Sequence, residues 1–541
     1  MYSPRSLLLA KLLSLTVLSA IVTVAATSAK EEKPSQVATF TLNERVRTLD
    51  KASGEYAIAE RQVECDPRRT AVIVCDMWNQ HWCQGATARV AEMAPRMNEV
   101  LKAARQRGML VIHCPSDTMK FYEGTPQRKL AQQAPHVAMK TLDAGWCPIG
   151  TGHEPALPFD NSKDRCDCTP QCAHGSPWRR QIDTLEIAES DAITDNDEAF
   201  YLMRERGIEN VIVLGVHTNM CVLGRPFSIR RMCAQGQNVV LVRDLTDSMH
   251  DSLSEPVGLD HFRATDQVIE HIEKYWCPTI TSRDFLGGVA FNFREDHRPH
   301  LVIVIGEDEY KMEETLPVFA DRELAPRGIR TTIVHASPSD KNDFPGLEVL
   351  SSADALLVGV RRRTPKTEQL DMIRRFVAAG KPVVGIRTAS HAFSQRDNQA
   401  PEGYAAWAEF DADVLGGHYI GHHDNNLEPT IWPLAAAKQH PILRDVPGEE
   451  FVVKSSLYKT SPLAASTTPL VMGRIPGGKL EEPVAWTNKT SHGGPVFYTS
   501  LGGPDDFQLA TFRQLLTGGI FWALGKPAPE ATVAAPQKAA Q

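Results

Sequence analysis

The sequence predicts an α/β protein built from two doubly wound, three-layer parallel-sheet domains in tandem. Three observations predict it. At 541 residues the chain exceeds what one hydrophobic core organises. Short aliphatic and β-branched runs alternate with amphipathic helical stretches, the pattern of a parallel sheet covered on both faces. A polar stretch, NFREDHRPH (Asn292 to His300), interrupts the alternation, which then starts afresh.

In the first unit the strands are Ala71 to Cys75, Met109 to His113, Val211 to Leu214 and Val239 to Val242. Helices are expected over Ala88 to Arg107, Glu198 to Arg206, Leu223 to Ala234 and Asp260 to Tyr275, with an irregular Gly/Pro/Asp-rich insertion from Leu142 to Pro177. The second unit has strands Leu301 to Ile305, Thr331 to Val334, Ala355 to Val358, Pro382 to Ile386 and Val496 to Ser500. Its helices are Glu313 to Glu323, Gln369 to Ala379 and Ala510 to Trp522. The expected organisation is therefore a leader (1–29), an N-terminal extension (30–66), a first domain (67–291), a linker (292–299), a second domain (300–526) and a disordered Ala/Pro/Gln-rich tail (527–541). The halves show no convincing sequence repeat.

Arg5 and Lys11, the apolar run Leu12 to Ala26 and the small residues Thr27-Ser28-Ala29 read as a cleaved export signal, with an uncleaved anchor as the other reading. The expected location is periplasmic or secreted. With a net charge of -8 and no long run of Lys or Arg, nothing points to a nucleic-acid partner, or to a membrane partner once the signal is cleaved. All eleven cysteines lie between Cys65 and Cys277. In an exported chain Cys147, Cys166, Cys168 and Cys172 favour a disulfide-stapled insertion; a metal site using His174 or His153 is the alternative.

The chemistry concentrates in NVIVLGVHTNMCVLGR (Asn210 to Arg225). A strand that ends near Gly215 and turns into a helix puts Cys221 at the carboxyl edge of the sheet, where open α/β sheets bind ligands and a helix N-terminus favours a thiolate. A small buried core residue is the plain alternative. Asp76 closes the first strand in TAVIVCDMWNQHWC, at the same edge, as a candidate base or a strand-end cap.

Together, GVHTNMCV (Gly215 to Val222) and the strand-end aspartate of VIVCDMWNQ resemble the isochorismatase-like cysteine hydrolases over about Pro67 to Leu286. The resemblance implies Asp76 as general base, Cys221 as nucleophile on a carbonyl carbon, and an oxyanion turn of Val216, His217 and Cys221 with a cis Val216–His217 peptide. Trp78, Thr218, Asn219 and Arg225 are expected in the substrate pocket, with Trp82 walling it or packing. The family's lysine is missing: Thr194 stands in its place, six residues before Phe200. Lys140 is the substitute expected ahead of Lys120 and Lys129, and Arg225 is another. His81 and His113 lack the spacing of metal-binding relatives and are expected to be surface or hydrogen-bonded groups.

From His300 to Lys526, KPVVGIRTASHAF, GGHYIGHH and PVFYTSLGGPDDF resemble the ThuA-like (trehalose utilisation) domain, a flavodoxin-like relative of class I glutamine amidotransferases. Arg387 occupies the place of the amidotransferase cysteine, so thiol-based glutamine hydrolysis is excluded. Arg387, His391, His422 and His492 are the candidate site residues, with His418 and His423 nearby, for a carbohydrate ligand or a divalent metal; independent loop histidines are the alternative. No other cofactor is implied. Asp505 and Asp506 read as helix caps.

Two functions follow, beside a third reading as a purely structural exported protein that retains neither chemistry. One is an exported hydrolase that cleaves an amide or related C–N bond of a small molecule through Cys221, and the other a degenerate ligand- or partner-binding module joined to a carbohydrate-acting unit. Relatives of the first domain often assemble, so a homo-oligomer is expected.

Overall fold

The computed structural model describes residues 39–530 except 52–53, 55, 141–153, 161–164, 254–255 and 397–398. The leader, Cys147, His153 and most of the C-terminal tail lie outside the described residues. Among the described residues, no helix is long and apolar enough to cross a membrane.

The first domain is built from β1 (Phe40–Leu49), β2 (Tyr56–Cys65), β3 (Thr70–Cys75), α1 (Gln84–Gln106), β4 (Leu110–Cys114), α2 (Met119–Tyr122), α3 (Pro126–Gln132), β5 (Ala192–Ile193), α4 (Glu198–Glu205), β6 (Asn210–Val216), α5 (Cys221–Gly224), α6 (Ile229–Ala234), β7 (Asn238–Asp247), α7 (His261–Tyr275), β8 (Thr279–Ile280) and α8 (Arg283–Leu286). Its eight-stranded sheet runs β2-β1-β8-β7-β6-β3-β4-β5. The six strands from β8 to β5 are parallel, and the β1–β2 hairpin adds an antiparallel edge. TAVIVC of β3 is buried along its whole length because helices cover both faces. In α1, Val90, Met93, Ala94, Met97, Val100, Leu101 and Ala104 repeat at three- and four-residue spacing and bury one stripe.

The second domain comprises β9 (His300–Gly306), α9 (Met312–Phe319), β10 (Arg330–His335), β11 (Ala355–Val360), α10 (Thr367–Ala378), β12 (Val383–Ile386), β13 (Gly421–His422), β14 (Thr430–Pro433), β15 (Phe451–Val452), β16 (Tyr458–Lys459), β17 (Thr468–Arg474), β18 (Glu481–Lys489), β19 (Pro495–Thr499) and α11 (Ala510–Ala523). Its nine-stranded sheet runs β10-β9-β11-β12-β19-β18-β17-β14-β15. The strands from β10 to β19 are parallel and the remaining four antiparallel. Both domains are thus α/β folds with a large, mostly parallel sheet between helices.

Four features depart from the sequence reading. The extension before residue 67 forms the β1–β2 hairpin and is part of the first sheet. The helix expected over Leu223 to Ala234 is two short helices, because Pro226 follows the single turn of α5 and cannot continue it. The antiparallel half of the second sheet was not expected. The ten described cysteines are free thiols, so Cys166, Cys168 and Cys172 form no disulfide staple there.

Hydrogen bonds also cross between the domains. Arg47 on β1 is 3 % exposed; it bonds Glu273 of α7 at 2.8 Å and Asp321, just after α9, at 2.5 and 2.6 Å. Arg298 reaches Asp266 of α7 at 2.6 Å.

Candidate functional site

Asp76 is the first residue beyond β3 and adopts a left-handed backbone, φ 46°. Its side chain is fully buried. The Ser116 amide donates to Oδ1 at 2.7 Å, and Arg225 Nε donates to Oδ2 at 3.3 Å. The same guanidinium reaches Asp117 through Nη2 at 3.4 Å. Cys221 begins α5 beside this pair, its buried thiol close enough to the Asp76 carboxyl for the two to act on one another electrostatically. Because β3 and β6 are adjacent and parallel, their carboxyl ends bring together residues far apart in sequence.

Gly215 makes the approach possible. Its φ is 114°, and a Cβ there would lie 2.0 Å from the Cys75 carbonyl oxygen. The Val216–His217 peptide that follows is cis, as the family resemblance implies. The His217 carbonyl accepts from the amides of Met220 and Val222, closing the turn on which Cys221 rides. Thr218 and Asn219 brace this turn and do not form an open pocket wall. Thr218 Oγ1 bonds Thr246 Oγ1 at 2.6 Å, and Asn219 exchanges two 2.9 Å bonds with the Met249 backbone.

Burial pushes the Asp76 carboxyl above its ordinary range, against the pull of Arg225 and the hydrogen bonds from Cys221 and Ser116. Burial, reinforced by the Asp76 charge, raises the Cys221 thiol well above its usual value, and Arg225 opposes this. The resting thiol is therefore held protonated, facing the carboxyl group that can take its proton.

A cation does contact Asp76, but it is not the lysine expected first. Lys140 is exposed, and its backbone bonds Gln235 at the end of α6, just before β7 begins. It therefore stands at the amino edge of the sheet, opposite Asp76. Lys120 and Lys129 are also exposed. Thr194 is buried and donates to Glu198 at 2.7 Å, which in turn pairs with Arg128. Arg225, four residues after Cys221 and one turn along, is the cation at the site. Asp117 and Ser116, on the loop after β4, carry no motif and were missed; the i, i+4 spacing of Cys221 and Arg225 was the readable signal.

Trp78 packs over the site. Its indole donates to the Ser116 carbonyl at 2.9 Å and stacks on Trp178 at 4.7 Å. His81 lies against both indoles and meets His217 edge-on at 4.9 Å. A cavity of about 480 Å³ opens beside it, lined by Gln80, His81, Trp82, Gly175 and Pro177 among others. His113 is buried between Gln181 and Asp191.

In the second domain Arg387 follows β12 with φ 45° and is buried. Its guanidinium donates to the Ser500 carbonyl at 2.9 Å and Ser456 Oγ at 3.1 Å, between the rings of Tyr310 and Tyr458. His391 stacks on Tyr419 at 4.4 Å and is 9 % exposed. Burial first, then Arg362, Arg361 and Arg387, hold it down at about 3. His422 sits exposed on the rim, its ring 6.4 Å from Tyr458. His492 does not join them: its turn leads into β19 and packs on Gly380, before β12, at the opposite sheet edge. Asp506 is a buried acceptor for the Gly502 and Gly503 amides and Ser455, not a side-chain cap. Tyr310, Tyr419, Tyr458 and Arg362 were not foreseen, since single tyrosines and arginines outside a periodic run look like ordinary packing or surface.

Residues 70–273 match the family model described as Isochorismatase domain, and residues 301–523 that described as Trehalose utilisation, ThuA. The chain carries an isochorismatase-like domain followed by a ThuA-like domain. The first of these families is one of hydrolases. Similar solved structures include a cysteine hydrolase from Pseudomonas syringae pv. phaseolicola 1448A, at 18 % identity over 41 % of this chain and 92 % of that one, TM-score 0.27. A ThuA-like protein from Parabacteroides merdae ATCC 43184 matches at 14 % identity over 43 % and 92 %, TM-score 0.31. N-carbamoylsarcosine amidase from Thermoplasma acidophilum matches at 12 % identity over 40 % and 96 %, TM-score 0.23. No curated protein matches the chain.

Proposed function

We propose that the isochorismatase-like domain hydrolyses an amide or related C–N bond of a small molecule through Cys221. The observation that carries this reading is the Arg225–Asp76 contact at 3.3 Å beside the Cys221 thiol, which supplies a cation where the family's lysine is absent. Asp76 takes the thiol proton as the sulfur attacks the carbonyl carbon, and the Cys221 amide receives the developing oxyanion. As the C–N bond breaks, Asp76 returns the proton to the leaving nitrogen. Water, deprotonated by Asp76, then releases the acid from the thioester. Arg225 orients Asp76 through both steps and favours its ionised form each time it must accept a proton.

The ThuA-like domain acts on a carbohydrate, with the half-buried Tyr419 as the stacking surface and the buried Tyr458, Arg387 and His391 beneath it. Export by residues 1–29 belongs to the same proposal. The test is ammonia release from a panel of small amides and N-carbamoyl compounds by the full chain. Turnover abolished in both Cys221→Ala and Asp76→Asn supports the mechanism; turnover indifferent to Cys221→Ala overturns it in favour of a ligand-binding module.

A further inference from the structure

We propose that Cys83, Cys166, Cys168 and Cys172 form a structural zinc site that clamps the insertion onto the start of α1. The four sulfurs lie within 4.8 Å of one another, with Cys83 and Cys168 3.7 Å apart. Four thiolates around one tetrahedral zinc, at about 2.3 Å each, stand about 3.8 Å from one another. Such a set is soft, closed and without an open coordination position, which suits a structural ion and not a catalytic one.

Backbone amides point at each sulfur in turn: Ala86 to Cys83 at 3.3 Å, Cys172 to Cys166 at 3.3 Å, Gly85 to Cys168 at 3.3 Å and Gln84 to Cys172 at 3.4 Å. Three of these amides belong to the first turn of α1, a helix of 23 residues whose N-terminus favours negative charge. Amide donors of this kind orient and stabilise metal-bound sulfur. Gly85 permits the approach, since a Cβ there would sit 3.3 Å from the Cys168 sulfur and 3.1 Å from Asp167. Between two ligands, Asp167 is anchored by Arg89 at 2.8 Å, and Arg89 also bonds Asp247 at the end of β7.

The consequence is local order beside the active site. The clamped segment continues into His174, which stacks on Trp82 at 4.1 Å, and Trp178, which stacks on Trp78. An ion at the four sulfurs would therefore fix one wall of the cavity near His81. The inference does not depend on the hydrolase mechanism.

Elemental analysis of the purified full-length protein should give one zinc per chain. Cys172→Ser should lower zinc content at least tenfold, whereas Cys233→Ser, outside the cluster, should retain it. Exchange with Co²⁺ should produce intense tetrahedral d–d and thiolate-to-cobalt bands, a readout of the wild-type chain that stands even where a variant fails to fold. Metal content at background, iron in place of zinc, a cobalt protein without thiolate bands, or non-reduced peptides in which these four cysteines are disulfide-linked would each overturn the proposal.

Discussion

Replacing Arg225 by glutamine is the sharpest test of the site. At 3.3 Å from Asp76 and an effective dielectric of about 20, the attraction is about 5 kcal/mol before any cost is subtracted. Arginine desolvation and the competing Ser116 hydrogen bond leave about half, or roughly 2–3 kcal/mol. Losing the cation that opposes both upward shifts raises the Asp76 carboxyl and the Cys221 thiol further. Alkylation of Cys221 by iodoacetamide, followed peptide by peptide from about pH 6 to about pH 10, reads this without knowledge of the substrate. The rate near neutrality should fall about tenfold to a hundredfold in Arg225→Gln, and Arg225→Lys should recover part of it. A variant with native circular dichroism and an unchanged alkylation profile would refute the assignment of Arg225 as the working cation.

Two further outcomes are expected. Gly215→Ala would force a Cβ to 2.0 Å from the Cys75 oxygen at φ 114°, so its urea midpoint should drop by the equivalent of about 3 kcal/mol or more; near-native stability would show that the turn has slack. His391 is held at about 3 when folded against about 6.5 unfolded, so the unfolded chain gains the proton first as pH falls. The native state thus keeps its full stability above about pH 6.5 and loses up to about 2 kcal/mol from this group by about pH 5. Melting temperatures at the two pH values should converge in His391→Phe; an unaltered difference would place the acid sensitivity elsewhere.

The parallel core was legible because its strands are covered on both faces and so read as unbroken apolar runs, as in HLVIVIG of β9. Asp76 and Cys221 were legible because each ends or follows such a run. The antiparallel strands β14 to β18 were not: β14, β15 and β16 are only two to four residues long, and the longer β17 and β18 mix apolar with polar positions and contain prolines. What escaped at the site came from loops: Asp117 and Trp178 reach it only through tertiary packing. Cys83 escaped for the same reason. In sequence it stands among the residues after β3, far from the insertion cysteines, and only the fold of α1 against that insertion gathers the four sulfurs.

The β1–β2 hairpin has a practical corollary. It completes the first sheet while Arg47 reaches across to Asp321, so the two domains share an electrostatic rivet. A gene cut near residue 292 would leave Asp321 on one polypeptide and its guanidinium on the other. Expressed apart, each half would carry an ionic group shaped for a neighbour it no longer has.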